Sequence, residues 1–575
     1  MTSFDLQAAL LHAKEHWDGQ QDPPPQRTAK DLDKLLNRYE DRLLESPLLL
    51  TEEYEPLGTL LAAFCNLGHN AQTKLISLNA QLLFKLYSLV KARLESGDLA
   101  ELALIRLVME QLIVLINVCV TRMVVDKPKN ASEWDHLKIS VAENLRSLTS
   151  LPLGRIFDNA SEKETLVSAI ARTVHLLLEQ PENIKLSLLL DACLHTLAMA
   201  AKCHNFSSNV KTLIIQDLNF FEHLSEPCAR LVALTSTQYE FPALAEELYR
   251  DLGDHNYTTA EGNTCKLVAS FFVKHAELAP RDALKYLTFS IGLLDVEAPA
   301  VRMGLVEVLG KLIIDLQTRD DRDEQSATSS KNLFGALEER MRDVNAFVRC
   351  KVLAMLGELC RVHAIPVNRR TAIMELAIGR VRDKSSNVRK RAIQLLAEFV
   401  RSHPFGVDGG ELNIDFFTDR LKVIEDMLNS LIGDGNELGD VDEAKSAQVN
   451  TLLMQKKYYQ DACKFVQQID SVMPTLNSLL TSNVKTEVFE VMDFLVDAHM
   501  YKIQSAGAGI RKMVQLVWEK DLSTEDGGKR SVKEHLIECY SKIYVCSDDR
   551  LPPKDRLIET TQNLIRYKNI NLYVC

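Results

Sequence analysis

One template occurs three times in the middle of this chain. It reads DVEAPAVRMGLVEVLGKLI from Asp295, DVNAFVRCKVLAMLGELC from Asp343 and DKSSNVRKRAIQLLAEFV from Asp383. Each copy has an Asp, a short turn, a Val-Arg pair and an apolar segment. The Arg residues fall at Arg302, Arg349 and Arg389, with spacings of 47 and 40 residues. Counted from the Val, apolar residues recur at i, i+4, i+7, i+8 and i+11. These are Val301, Leu305, Val308, Leu309 and Leu312; Val348, Val352, Met355, Leu356 and Leu359; and Val388, Ala392, Leu395, Leu396 and Phe399. That spacing puts one apolar stripe on one face of an α-helix.

A single helix pair cannot bury such a stripe, so every copy needs neighbours above and below it. The expected fold is therefore all-α: an α-α superhelix, a solenoid of HEAT or armadillo type, with a helical N-terminal domain. Chains of this kind work through their surfaces. Asp295, Asp343 and Asp383 are expected to meet the free amides of a helix N-terminus. The three Arg are expected to point along the stack toward an Asp of the next repeat. Asp295, Arg302, Asp343, Arg349, Asp383 and Arg389 thus read as a structural ladder.

Composition narrows the function. Apolar residues make up 46%, charged residues 25% and aromatic residues 6% of 575, which is the make-up of a folded helical chain. A net charge of −12 argues against a surface that embraces nucleic acid everywhere, but leaves room for a local basic groove. The most apolar stretch, Gln111 to Thr121, is 11 residues long against the roughly 20 needed to span a bilayer, so a buried helix and no membrane role are expected. Twelve Cys without a CxxC pair point to reduced thiols in the nucleus or cytoplasm.

Four regions follow from the pattern: an N-terminal segment over 1–50, a helical domain over 51–240, repeats over 241–420 and further helix pairs over 421–575. Arg319 to Asn332 reads as a surface loop and Ile432 to Gln448 as an acidic one. The chain stops at Cys575 without a capping pattern, which leads to the expectation of an N-terminal part of a longer protein.

No catalytic constellation is legible. The GAG at Gly507 to Gly509 lacks the spacing of a phosphate loop and reads as a turn between helices. DGNELGD, from Asp434, starts like a calcium loop but has Leu438 where an oxygen ligand is needed. Cys193, His195, Cys203 and His204 match no zinc spacing. An enzyme is not expected, nor a cofactor, a metal or a small-molecule substrate.

One run stands out against the acidic background: eight basic residues against two acidic ones between Arg369 and Arg391. Arg369, Arg370, Arg382, Lys384, Lys390 and Arg391 are the candidate DNA contacts, through phosphate neutralisation at a repeat turn. The alternative is an ordinary solvated repeat surface. Without interleaved aromatic residues, base stacking is not expected. Lys502, Arg511, Lys512, Lys520, Lys529 and Arg530 form a weaker second group.

ALEERMRDVNAFVRCKVLAMLGELC, ELAIGRVRDKSSNVRKRAIQLLAEFVRSHPF, YYQDACKFVQQID, VFEVMDFLVDAHMYKI and GIRKMVQLVWEKD resemble the condensin subunit 1 family. The resemblance implies a non-catalytic HEAT-repeat subunit of a chromosome-organising ATPase. It further implies binding of a kleisin chain, an SMC ATPase head and DNA in mitotic chromosome condensation. Localisation to the nucleus and chromosomes, with a cytoplasmic pool, comes with it. The competing reading is a HEAT-repeat nuclear transport receptor that wraps cargo.

Overall fold

The computed structural model describes residues 4–17, 29–97, 101–126, 128, 132–319, 324–406, 410–433, 443–518, 531–545 and, near the end, 554–555, 557–558, 560–563 and 565. Among them the regular elements are helices. In chain order they are α1 (Leu6–His12), α2 (Ala29–Glu45), α3 (Leu50–Ala62), α4 (His69–Ser96), α5 (Leu102–Val125), α6 (Asp135–Thr149), α7 (Ala160–Leu178) and α8 (Pro181–Ile184). Then come α9 (Ser187–Cys203), α10 (Ser207–Phe220), α11 (Ser225–Thr237), α12 (Ala243–Asp254), α13 (Gly262–Leu278), α14 (Pro280–Ser290), α15 (Pro299–Thr318) and α16 (Glu324–Arg340). The last eight are α17 (Ala346–Arg361), α18 (Val367–Arg380), α19 (Ser386–Arg401), α20 (Ile414–Gly433), α21 (Glu443–Leu479), α22 (Lys485–Met500), α23 (Ala506–Met513) and α24 (Val532–Tyr544). Two compact units result, Met1–Leu305 and Val306–Cys575.

In the first unit, α2, α4, α6, α9, α11 and α13 pack each on the next, and α3, α5 and α7 form a second row. Helix α5 carries the apolar stretch, but it is 24 residues long, more than twice the segment that composition singled out. By length and hydropathy it is the one described helix that could cross a membrane. It packs instead among α3, α4 and α7. Its Glu110, Gln111 and Arg122 are buried with its apolar residues. Burial, reinforced by the charge of Glu162, raises Glu110 to about 7.

In the second unit, α17 packs on α19, α19 on α22, and α22 on α24. The second helix of each pair therefore forms a continuous layer, the stacking that defines a HEAT-type solenoid. Helix α20 and the start of α21 form a hairpin inserted between α19 and α22. The far end of α21 returns to the stack and buries Val466, Ile469, Met473 and Leu476. All fifteen stripe residues of the three template copies are buried, none more than 3% exposed. At roughly 1.5–3 kcal/mol per large apolar side chain removed from water, the stripe is the main attraction between neighbouring pairs.

Three local readings are corrected. Residues 324–332 are not loop: α16 begins at Glu324, and Ser330 turns inward to accept a 3.0 Å hydrogen bond from Gln317. The polar composition there reflects an outer helix that buries only one narrow face. The acidic segment before Gln448 is likewise helical from Glu443, while the calcium-loop-like DGNELGD lies outside the described residues. Gly507 and Gly509 are within α23 rather than in a turn. A Cβ on Gly509 would sit 2.5 Å from Asn477 Oδ1 and 2.7 Å from a Leu495 methyl, so the glycine allows α23 its close approach.

Candidate nucleic-acid interface

The Arg of each template copy first ties down its own turn. Arg302 Nη1 donates to the carbonyls of Val296 (2.6 Å) and Glu297 (2.9 Å). Arg349 does the same to Asp343 (2.7 Å) and Val344 (3.0 Å), and Arg389 to Asp383 (2.8 Å) and Lys384 (3.2 Å). In every copy the acceptors are six and five residues before the Arg. This common geometry corrects the register of the first copy, where Val296, not Asp295, occupies the position of Asp343 and Asp383. Asp295 is exposed at the end of a 3-10 turn.

In the second and third copies the remaining guanidinium nitrogens reach beyond their own turn. Arg349 donates Nε to Asp383 Oδ2 at 2.9 Å and Nη2 to Asp383 Oδ1 at 2.8 Å. Burial opposes the charge on Asp383, but hydrogen bonds from Arg349 and the Ser385 amide hold its pKa below the usual carboxylate range. The aspartates do not cap helices. Asp343 accepts the Asn345 amide and Asp383 the Ser385 amide, closing the turn before the helix. Asn345 is the side chain that caps α17, accepting from the Phe347 amide at 2.8 Å.

Arg389 finds a partner that the template does not contain. It donates from Nε and, at 3.0 Å, from Nη2 to Glu487, whose side chain is fully buried. Superposing the stripe of α22 (Val491, Phe494, Leu495 and Ala498) on that of α19 puts Glu487 at the position of Val388 and Ser482 at that of Asp383. Ser482 Oγ donates to Glu487 at 2.7 Å and accepts the Val484 amide. The carboxylate has moved from the turn into the first core position, and a serine takes over its turn-closing role. No search for the Asp-turn-Val-Arg pattern could find this fourth copy.

The candidate DNA contacts divide sharply. Arg370 is withdrawn from the set: it is 7% exposed and donates to the Ser402 carbonyl at 2.8 Å and to Ser402 Oγ at 3.0 Å, with its guanidinium over the Phe399 ring. A cation used to close α18 onto α19 cannot face a phosphate. Arg369 is half-buried against Glu338 (2.7 Å) and Phe334. Arg382 is exposed and donates to Thr475 Oγ1 at 3.0 Å. Lys390 lies 3.6 Å from Glu490. Lys384 and Arg391 face solvent, Arg391 with a 2.9 Å hydrogen bond to Gln394. In the second group, Lys502 and Arg511 are exposed and Lys512 donates to the Asn477 carbonyl, whereas Lys520, Lys529 and Arg530 lie outside the described residues.

Beside this ridge, α17, α19 and α22 enclose a groove of about 350 Å³ lined by Arg361, Arg391, Arg401, Glu398, Glu490 and Asp493, among others. Its charges alternate in sign. Gln394 donates to Glu490 at 2.7 Å, and Arg401 pairs with Asp497 at 2.5 Å.

Cys193, His195, Cys203 and His204 do not converge. His195 Nδ1 lies 2.7 Å from the Tyr239 hydroxyl, and His204 Nε2 is 2.7 Å from the Thr149 carbonyl. Every described Cys is a free thiol.

A family model described as non-SMC mitotic condensation complex subunit 1, N-term, matches residues 125–210. Condensin complex subunit 1 of Saccharomyces cerevisiae is 28% identical over 475 residues, 74% of this chain and 40% of that protein. Its counterpart in Schizosaccharomyces pombe is 27% identical over 72% of this chain and 39% of its own length. The chain is a homologue of condensin complex subunit 1. It spans about 40% of the length of these condensin complex subunit 1 proteins. The family-model match falls on α6 to α10, where no template copy is legible. A second model, Sister chromatid cohesion protein PDS5 protein, matches residues 293–407, which hold the three copies. Among solved structures, the karyopherin Kap121p bound to the SUMO protease Ulp1p aligns with 94% of this chain and 53% of its own at 12% identity and a TM-score of 0.36.

Proposed function

We propose that this chain acts as a non-catalytic regulatory and scaffold subunit of condensin. In this reading it binds a kleisin, approaches an SMC ATPase head and contacts DNA during mitotic chromosome condensation, in the nucleus and on chromosomes with a cytoplasmic pool. The relationship to condensin complex subunit 1 over about three quarters of the chain carries it. The mixed-charge groove over α17, α19 and α22 suits an extended peptide of alternating charge, because Arg391 and Arg401 stand beside Glu398 and Glu490 along one face. Phosphate contact is the role left to Lys384, Arg391, Arg382 and Lys390, with Arg369 secondary; salt-dependent backbone binding is what such a ridge can supply.

Affinity purification of the tagged chain tests the reading. A kleisin and SMC proteins among the captured partners are the expected result. Capture of a nuclear-transport GTPase without them would favour the transport-receptor alternative and overturn the proposal.

A further inference from the structure

Helices α22 and α24 bring together three side chains that the repeat architecture does not use. Asp493 belongs to α22, and His535 and Cys539 belong to α24, one turn apart on the same face. A ring nitrogen of His535, the Cys539 Sγ and a carboxylate oxygen of Asp493 all lie within 4.8 Å of one another. His535 Nε2 is 3.2 Å from Asp493 Oδ1, and Cys539 Sγ is 3.9 Å from the same oxygen.

The His535 side chain is 9% exposed, and Nε2 forms an ion pair with Asp493. A ring buried to that degree needs a partner for its polar nitrogens, and a metal ion held between His535 and Asp493 would take the Nε2 lone pair. Around a tetrahedral zinc ion with bonds of about 2.0–2.3 Å, ligand atoms stand about 3.3–3.8 Å apart. The two separations to Asp493 Oδ1, 3.2 and 3.9 Å, lie just either side of that range, and all three ligand atoms are within 4.8 Å of one another.

The surroundings fit. The Phe489 ring stacks on His535 with centroids 4.4 Å apart and holds its orientation. Glu538 Oε2 is 4.0 Å from the other ring nitrogen, Nδ1, where an outer-sphere carboxylate orients a ligating histidine. Cys539 is fully buried, whereas Asp493 is 37% exposed, so the ion would enter from the Asp493 side.

We propose that Asp493, His535 and Cys539 form a binding site for a divalent transition ion of zinc type, which fastens α24 to α22. One nitrogen, one thiolate and one carboxylate form a borderline-soft set that favours zinc over magnesium or calcium. Binding ionises the Cys539 thiol and releases its proton to solvent; a water completes the fourth position. The role is structural: α24 otherwise meets the stack through one narrow face that includes Leu536 and Ile543.

The test uses the full chain, stripped with a chelator and equilibrated with zinc or cobalt(II). One equivalent of zinc retained above the Cys539→Ser variant, a thiolate-to-cobalt charge-transfer band that Cys539→Ser abolishes, and slower hydrogen exchange in α24 on adding zinc are the expected results. Asp493→Asn, at a partly exposed position, provides a second variant in case Cys539→Ser folds poorly, and should weaken zinc binding at least tenfold. Equal zinc content in wild type and both variants, or a cobalt spectrum without a thiolate band, would overturn the site and leave only an ion pair between His535 and Asp493.

Discussion

Arg349 and Asp383 join two consecutive repeats through paired hydrogen bonds of 2.9 and 2.8 Å, with the aspartate side chain only 3% exposed. The same guanidinium ties its own turn through Nη1, so a single residue fixes both the entry to α17 and the distance to the next pair. A planar fork with five donors can serve both tasks; a lysine ammonium cannot. Removing one member of a pair this buried strands the other. Asp383→Ala should therefore destabilise the α17–α19 region by about 3 kcal/mol. Arg349→Lys should cost less, because charge survives while the two-pronged geometry does not. Hydrogen exchange of the amides in 346–361 and 386–401 reads both, and protection equal to wild type in Asp383→Ala would show that the pair contributes nothing.

The stripe gives a second expectation. Leu356 is fully buried, and its truncation to Ala should cost about 2–5 kcal/mol. Val348→Asp should cost more, since a carboxylate would enter a core that offers it no partner. A wild-type melting curve for Val348→Asp would mean that the buried face has been assigned wrongly.

Charge reversal separates surface cations from structural ones. Lys384→Glu combined with Arg391→Glu should weaken binding to duplex DNA while leaving the helical signal and melting unchanged. The slope of log affinity against log salt should shrink by about 0.9 for each phosphate that is no longer neutralised. Arg370→Glu should instead unfold the region around Ser402, because it sets a carboxylate against a carbonyl oxygen. Unaltered DNA affinity in the folded double variant would remove this ridge from the binding surface.

A pH dependence is built into the first unit. Nε2 of His175 is 2.6 Å from Asp217, and Nδ1 is 3.1 Å from Glu179. Burial opposes the charged imidazole, but the hydrogen bond and charge of Asp217, with help from Glu179, outweigh it and raise the pKa above 6.5. A raised histidine pKa stabilises the fold fully below the unfolded value of about 6.5, and that contribution fades as pH rises through the folded value. Exchange protection of 160–178 should therefore be greater near pH 6 than in alkali. His175→Gln should flatten the difference, and an identical pH profile in the variant would exclude the pairing.

Much of the fold was legible because a solenoid repeats its chemistry. Val348, Val352 and Leu356 announce a buried face by spacing alone, and the Arg of each copy marks where the turn ends. Legibility failed where a residue's partner came from far away in the chain. Arg370 reads as one more cation in a basic run, yet Ser402, 32 residues on, absorbs it. Glu487 stands outside the template and carries no mark in the sequence, yet it is the partner of Arg389 at a separation of 98 residues. His535 and Cys539, four residues apart, carried a usable hint; Asp493 did not.

Local periodicity thus determined which faces are apolar and that helix pairs must stack, because burying a stripe is a demand each helix makes by itself. Tertiary structure alone decided which charges remain free. Packing of α18 on α19 sets Ser402 against Arg370 and packing of α22 on α19 sets Glu487 against Arg389, and a guanidinium satisfied in this way is indistinguishable in sequence from one open to water.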